Sequence, residues 1–119
     1  MKIDQVYSEK ITINPLKKPI DLVCNLPGSK SITNRALVIA ALNSGNRKTH
    51  LSGILRSEDT EIMVDCLEKL GFILSVNWKE CTAFVSSPKA PGIIPSSNAN
   101  LFTGNSGTTM RFLTAMVGL

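Results

Sequence analysis

Lys30, Ser31 and Arg35 stand together in the run Leu26-Pro-Gly-Ser-Lys-Ser-Ile-Thr-Asn-Arg35, and a second run, Gly104-Asn-Ser-Gly-Thr-Thr-Met-Arg111, carries glycines, hydroxyls and another arginine. Both pass from small residues into an apolar pattern of helical period, so each reads as the start of a helix. A helix N-terminus presents unpaired N–H groups and the positive end of a dipole, and cations placed there build a site for phosphates or carboxylates. The ligands expected are small and multiply charged.

Ser31 and Arg35 are four apart and share a helix face, with Lys30 at its rim. One phosphate can meet all three: the hydroxyl donates, the guanidinium forks onto two oxygens, and the ammonium reaches a second anion as a point charge. In the second run the glycines permit close backbone approach, the amides of 106–109 form a nest, and either Asn105 or Ser106 caps the helix. Arg111 faces either the pocket or solvent. Each feature alone also suits an ordinary solvated helix end; their pairing favours a binding site. A P-loop is excluded, because Ser29 precedes Lys30 and Cys24 stands where the first glycine belongs.

The totals agree with a soluble, globular chain long enough for one modest domain: 119 residues, 43% apolar, 18% charged, formal charge +4. The cations are scattered and the aromatics few, which argues against a nucleic-acid groove. No run approaches a membrane span and the start lacks a signal-peptide core, so the cytoplasm is the expected location. Cys24, Cys66 and Cys81 match no metal-ligand or redox spacing and are expected as reduced, mainly packing thiols. With His50 the only histidine, a His-based metal site and Ser-His-Asp machinery are both disfavoured, and His50 is assigned a structural role.

The elements that must position these residues follow from periodicity. Residues 3–14 alternate and predict a strand, Pro15 and Pro19 bracket a basic crossover, and a second strand is expected near 20–25. A helix is predicted over 30–42 with Gly45 as its left-handed cap, then a strand over 48–54. Ser57 caps a helix with an acidic first turn, and Ile62, Met63, Cys66, Leu67 and Leu70 form its stripe up to Gly71. Runs 72–78 and 81–86 predict a hairpin about Lys79-Glu80, followed by a Pro/Ser/Asn-rich loop. The order over 20–86 is β-α-β-α-β-β. A strand near 99–103 and a helix from Ser106, with Met110, Leu113, Thr114 and Val117 along one side, open another such unit. Because that stripe runs to Gly118-Leu119 with no polar cap, the chain is expected to be the N-terminal piece of a longer polypeptide.

The run Leu26–Leu37, the helix start Ser57-Glu-Asp-Thr60 and the run Gly104–Arg111 together resemble the N-terminal part of the 5-enolpyruvylshikimate-3-phosphate synthase family, and the whole chain fits in register. Phe112 departs from the Leu or Pro that many members carry there. The resemblance implies an α/β enolpyruvyl transferase-like fold, an inside-out α/β barrel of βαβαββ units in two domains that close on substrate. Residues 1–19 then supply a strand and crossover to the other domain, 20–86 one complete unit, and 99–119 the start of a second. It implies transfer of the enolpyruvyl group of phosphoenolpyruvate to the 5-hydroxyl of shikimate 3-phosphate in aromatic amino-acid synthesis, with no cofactor and no metal. Carried over by position, Lys30 is catalytic and touches both substrates, Ser31 and Arg35 hold shikimate 3-phosphate, and Asn105 and Gly107 line the phosphoenolpyruvate site. Thr108, Arg111, Glu58 and Asp59 are weaker candidates, the last two equally suited to a helix start. Because the family's acid/base carboxylates lie in later segments, the fragment is expected to bind without turnover. The parent is expected to be a monomer that binds neither nucleic acid nor membrane. The rival readings are a UDP-N-acetylglucosamine enolpyruvyl transferase-like enzyme and a non-catalytic anion- or nucleic-acid-binding module.

Overall fold

The computed structural model describes residues 10–43, 47–88 and 93–119. Their elements run α1 (Lys30–Leu42), β1 (Thr49–Ser52), α2 (Glu58–Lys69), β2 (Ile73–Asn77), β3 (Thr82–Ser86) and α3 (Gly107–Met116). The three strands form one antiparallel sheet in the order β1-β3-β2, with Val85 between Thr49 and Leu74 and Ala83 between Leu51 and Val76. Strand side chains alternate, so Ala83 and Val85 face inward and are fully buried. They join Leu37 of α1, Met63, Cys66 and Leu67 of α2, and Leu113 and Met116 of α3 in one core. On the outer face His50 stacks on Phe84 at 4.6 Å and Lys48 lies 4.1 Å from that ring's centroid, the structural setting expected for the histidine.

Local chemistry accounts for the helix ends. Ser57 Oγ accepts from the Thr60 N–H while the Ser57 N–H donates to Thr60 Oγ1 at 2.8 Å, a reciprocal cap, and Glu58, Asp59 and Glu61 complement the dipole. Ser57→Ala removes one half of that cap, and a loss of about 1 kcal/mol is expected, read as a lower urea midpoint with an unchanged slope. Gly71 ends α2 with φ +92°, and the following chain returns so that the Ser96 N–H donates to Leu70 O. Asn43 closes α1 by donating to Ile39 O; the Gly45 cap expected there lies outside the described residues. All three cysteines are free. Cys66 is buried, which pushes its thiol pKa up, with the Asp65 charge adding to the effect.

Four expectations are corrected. The segment 20–25 is irregular and exposed and pairs with no described strand, because alternation makes a strand only where a neighbouring backbone completes the ladder. For the same reason residues 99–103 run as irregular loop, and no strand forms over 10–14; the rest of the strand expected over 3–14 lies outside the described residues. On α3 the buried side is Thr109, Leu113 and Met116, whereas Met110 and Val117 are 53% and 49% exposed. A count from Met110 chose the wrong arc, because Thr109 can be buried once its hydroxyl has a partner in Ser106. Residues 10–27 are all exposed, and the radius of gyration, 18.4 Å, exceeds the roughly 13 to 14 Å of a globular chain of this length.

Candidate functional site

Packing brings three helix starts to one end of the molecule. Arg35, Val38 and Ile39 of α1 border a shallow groove with Phe112 of α3, and farther on Val38 and Leu42 border another with Phe112, Ala115 and Leu119. Residue numbers rise together along both helices, so α1 and α3 run side by side in one direction. Lys30 and Ser31 therefore lie at the same end as Asn105–Gly107. The link to α2 is direct: Lys30 Nζ is 2.9 Å from Asp59 Oδ2, and Thr33 Oγ1 accepts from the Leu55 N–H at 3.0 Å. The loop before α3 runs back along α2. Cys66 Sγ donates to Phe102 O, and Gly104 lies so close to Ile62 that an added Cβ would stand 2.8 Å from its Cδ1.

Each start is built by its own sequence. Ser29 caps α1 by accepting from the Ile32 N–H, which orients Lys30, Ser31 and Arg35 outward; all three are exposed. Ser106, not Asn105, caps α3 by accepting from the Thr109 N–H, while Gly104 holds φ +52° in the turn before it. An added Cβ on Gly107 would meet nothing within 4 Å, so open space lies over the first amides of α3. Thr108 is half-buried and Asn105 exposed; Arg111 lies on the exposed side of α3, opposite Thr109. Among the described residues no hydrogen bond or ion pair joins Lys30, Ser31 or Arg35 to residues 105–108, so the two motifs share an end with no such bond between them.

The Lys30–Asp59 pair is half-exposed, with side chains 50% and 24% accessible. Pairs of that kind contribute about 0 to 1 kcal/mol, so an arriving anion can take the ammonium from Asp59 at small cost. Glu58 is exposed on the same turn, whereas Arg56 is engaged by Glu61 at 2.6 Å. Sequence reasoning missed Thr33 and Asn34, which are buried and face inward between the cations. The signal was present: Leu37, Ala40 and Ala41 sit three, four or seven residues farther along the same stripe. Among the described residues no group of three or more His, Cys, Asp or Glu side chains could hold a metal, and no helix is long and apolar enough to cross a membrane.

The described residues form a mixed α/β layer that brings three capped helix starts and the exposed Lys30 and Arg35 to one end. Residues 14–119 match the family described as EPSP synthase (3-phosphoshikimate 1-carboxyvinyltransferase), and the chain belongs to that family. It is 43% identical over 111 residues to the 3-phosphoshikimate 1-carboxyvinyltransferase of Nostoc punctiforme, covering 93% of this chain and 25% of the relative. The proteins of the same name from Trichormus variabilis and Nostoc sp. are 43% and 42% identical over the same shares. The chain thus spans about a quarter of the length of the curated relatives it matches. The three helices and three-stranded sheet of the described residues fit part of an enolpyruvyl transferase unit.

Proposed function

We propose that this chain forms part of the substrate site for transfer of an enolpyruvyl group from phosphoenolpyruvate to the 5-hydroxyl of shikimate 3-phosphate, in the cytoplasm. The observation that carries the reading is that α1 and α3 run side by side in one direction, with Lys30 at the start of α1 paired to Asp59 at the start of α2. In the reaction the 5-hydroxyl oxygen bonds to C2 of phosphoenolpyruvate as its methylene carbon gains a proton and the hydroxyl loses one. Phosphate then leaves as a methyl proton is lost. Charge builds at C2 beside two anions, and preorganised cations and amides offset the repulsion.

In this assignment Ser31 and Arg35 hold shikimate 3-phosphate, Lys30 bridges both substrates, and Asn105, Gly107 and Thr108 receive phosphoenolpyruvate on the first amides of α3. Asp59 orients Lys30, Glu58 borders the site, and Arg111 serves the outer rim. Residues 20–86 correspond to the first unit of the family fold, 99–119 open the next unit and 1–19 lead to the other domain. The 119 residues by themselves bind without turnover, the acid/base carboxylates being those that the family resemblance places in later segments.

Titration of the 119-residue chain with shikimate 3-phosphate is expected to shift the amide resonances of Ser31 and Arg35. Single-stranded RNA is expected to leave them unmoved; RNA shifts with no response to shikimate 3-phosphate would sink the assignment. Gly107→Ala places a methyl in open space at the first helical residue, so stability is expected to rise by about 0.5 to 1 kcal/mol. The same methyl fills the phosphoenolpyruvate cradle. Binding of phosphoenolpyruvate, and of the anionic inhibitor glyphosate at that place, is expected to weaken about tenfold while shikimate 3-phosphate binding holds.

A further inference from the structure

We infer that Asn34 is a positioning residue, its buried carboxamide tied through buried water to the Ser106–Thr109 hydroxyl pair, and that this tie sets the spacing between the two anion-binding helix starts. Asn34 is fully buried, and neither Oδ1 nor Nδ2 has a hydrogen-bond partner. Two N–H donors and an acceptor shut away from solvent destabilise a fold unless something answers them. A matching deficit lies across the helix pair. Ser106 and Thr109 are 2% and 0% exposed, and their hydroxyl oxygens are 2.7 Å apart. That contact uses one hydroxyl proton and leaves the second with no acceptor among the described residues.

Helix geometry places the two deficits together. Thr33, bonded to the Leu55 N–H, marks the side of α1 that faces the turn before α2, and Arg35 and Val38 mark the side that borders α3. Asn34 points between them, about 100° round the helix from Thr33. Because α1 and α3 run in one direction, Asn34 is level with the first turn of α3, where Thr109 lies. A water that accepts the spare hydroxyl proton and one Nδ2 proton while donating to Oδ1 answers the hydroxyl, the carbonyl oxygen and one of the two N–H donors, and such polar gaps are where proteins hold internal water. Asn34 is one residue from Arg35 and three from Ser31, so the tie carries directly to the cationic cluster. The effect on ligand rests on the reading proposed above; the water tie does not.

Two measurements on the 119-residue chain test this. In the parent, the Asn34 side-chain N–H signals are expected to show magnetisation transfer from a long-lived water and exchange about 100-fold more slowly than those of exposed Asn43. Exchange as fast as Asn43 overturns the tie. Asn34→Leu nearly conserves volume and removes every polar atom. An unanswered amide predicts a higher melting temperature for it, whereas the tie predicts a lower one. Shikimate 3-phosphate affinity, measured where both forms remain folded, is expected to fall about tenfold in Asn34→Leu and to return within about threefold in Asn34→Ser, which keeps a hydroxyl for the water. A lower melting temperature with unchanged affinity overturns the positioning role. No binding by the parent overturns the site assignment, while the exchange and melting results still decide the tie.

Discussion

Lys30→Met is expected to weaken shikimate 3-phosphate binding by the chain about 10- to 100-fold while moving its thermal midpoint by no more than about 2 °C. The affinity range follows from losing a charge-assisted hydrogen bond, about 1.5 to 3 kcal/mol, at 1.4 kcal/mol per tenfold. Stability is spared because the Lys30–Asp59 pair is half-exposed and contributes little to folding. Loss of the ammonium also leaves Asp59 uncompensated beside the incoming anion, which pushes the effect toward the upper end. Asp59→Asn in the same background should recover part of the affinity by removing that repulsion. Calorimetric titration in low salt resolves the difference; affinity in Lys30→Met equal to the parent's would remove Lys30 from the site.

Gly28→Ala is expected to cost about 3 kcal/mol, the largest stability loss of any single methyl discussed. The added Cβ would stand 2.2 Å from the Gly53 carbonyl oxygen and 3.2 Å from the Leu55 nitrogen, both backbone atoms that cannot swing away. Gly53 is held at φ +73° in the turn after β1, so that turn has little freedom to retreat. Relief requires prising the 26–29 loop off residues 53–55, which breaks the Thr33–Leu55 hydrogen bond and draws Lys30 from Asp59. The urea midpoint should fall, and the amide signals of Leu55 and Thr33 should move together. A midpoint within 0.3 kcal/mol of the parent's would show that the loop does not rest on that turn.

Gly107→Ala makes the contrast, since the same substitution there meets open space. Nothing in the two local sequences, Pro27-Gly28-Ser29 and Ser106-Gly107-Thr108, separates the crowded glycine from the free one. The difference arises because Gly28 is pressed against a backbone distant in sequence, whereas Gly107 opens a helix at the surface.

Much else was legible. The α1 and α2 boundaries, the Ser57 cap, the Gly71 stop, the β2–β3 hairpin and the burial of Cys66 follow from patterns within a few residues, because caps, turns and period are local interactions. Candidate ligand residues were legible for the same reason: a serine, a lysine and an arginine at a helix start advertise anion chemistry without knowledge of the fold. The strand expected over 20–25 and the α3 stripe counted from Met110 were misread, because each depends on a partner surface that periodicity does not name.

By itself the amino-acid sequence determined the helices, the hairpin and the two cation- and glycine-bearing helix starts, since capping, dipole and side-chain period act over one or two turns. Only the tertiary structure decided that α1 and α3 run in one direction, that Asp59 is the partner of Lys30, that Gly28 has no room for a methyl, and that Asn34 is shut inside with no protein group bonded to its amide. Those outcomes are set by packing between segments far apart along the chain, where a side chain's neighbours come from other elements.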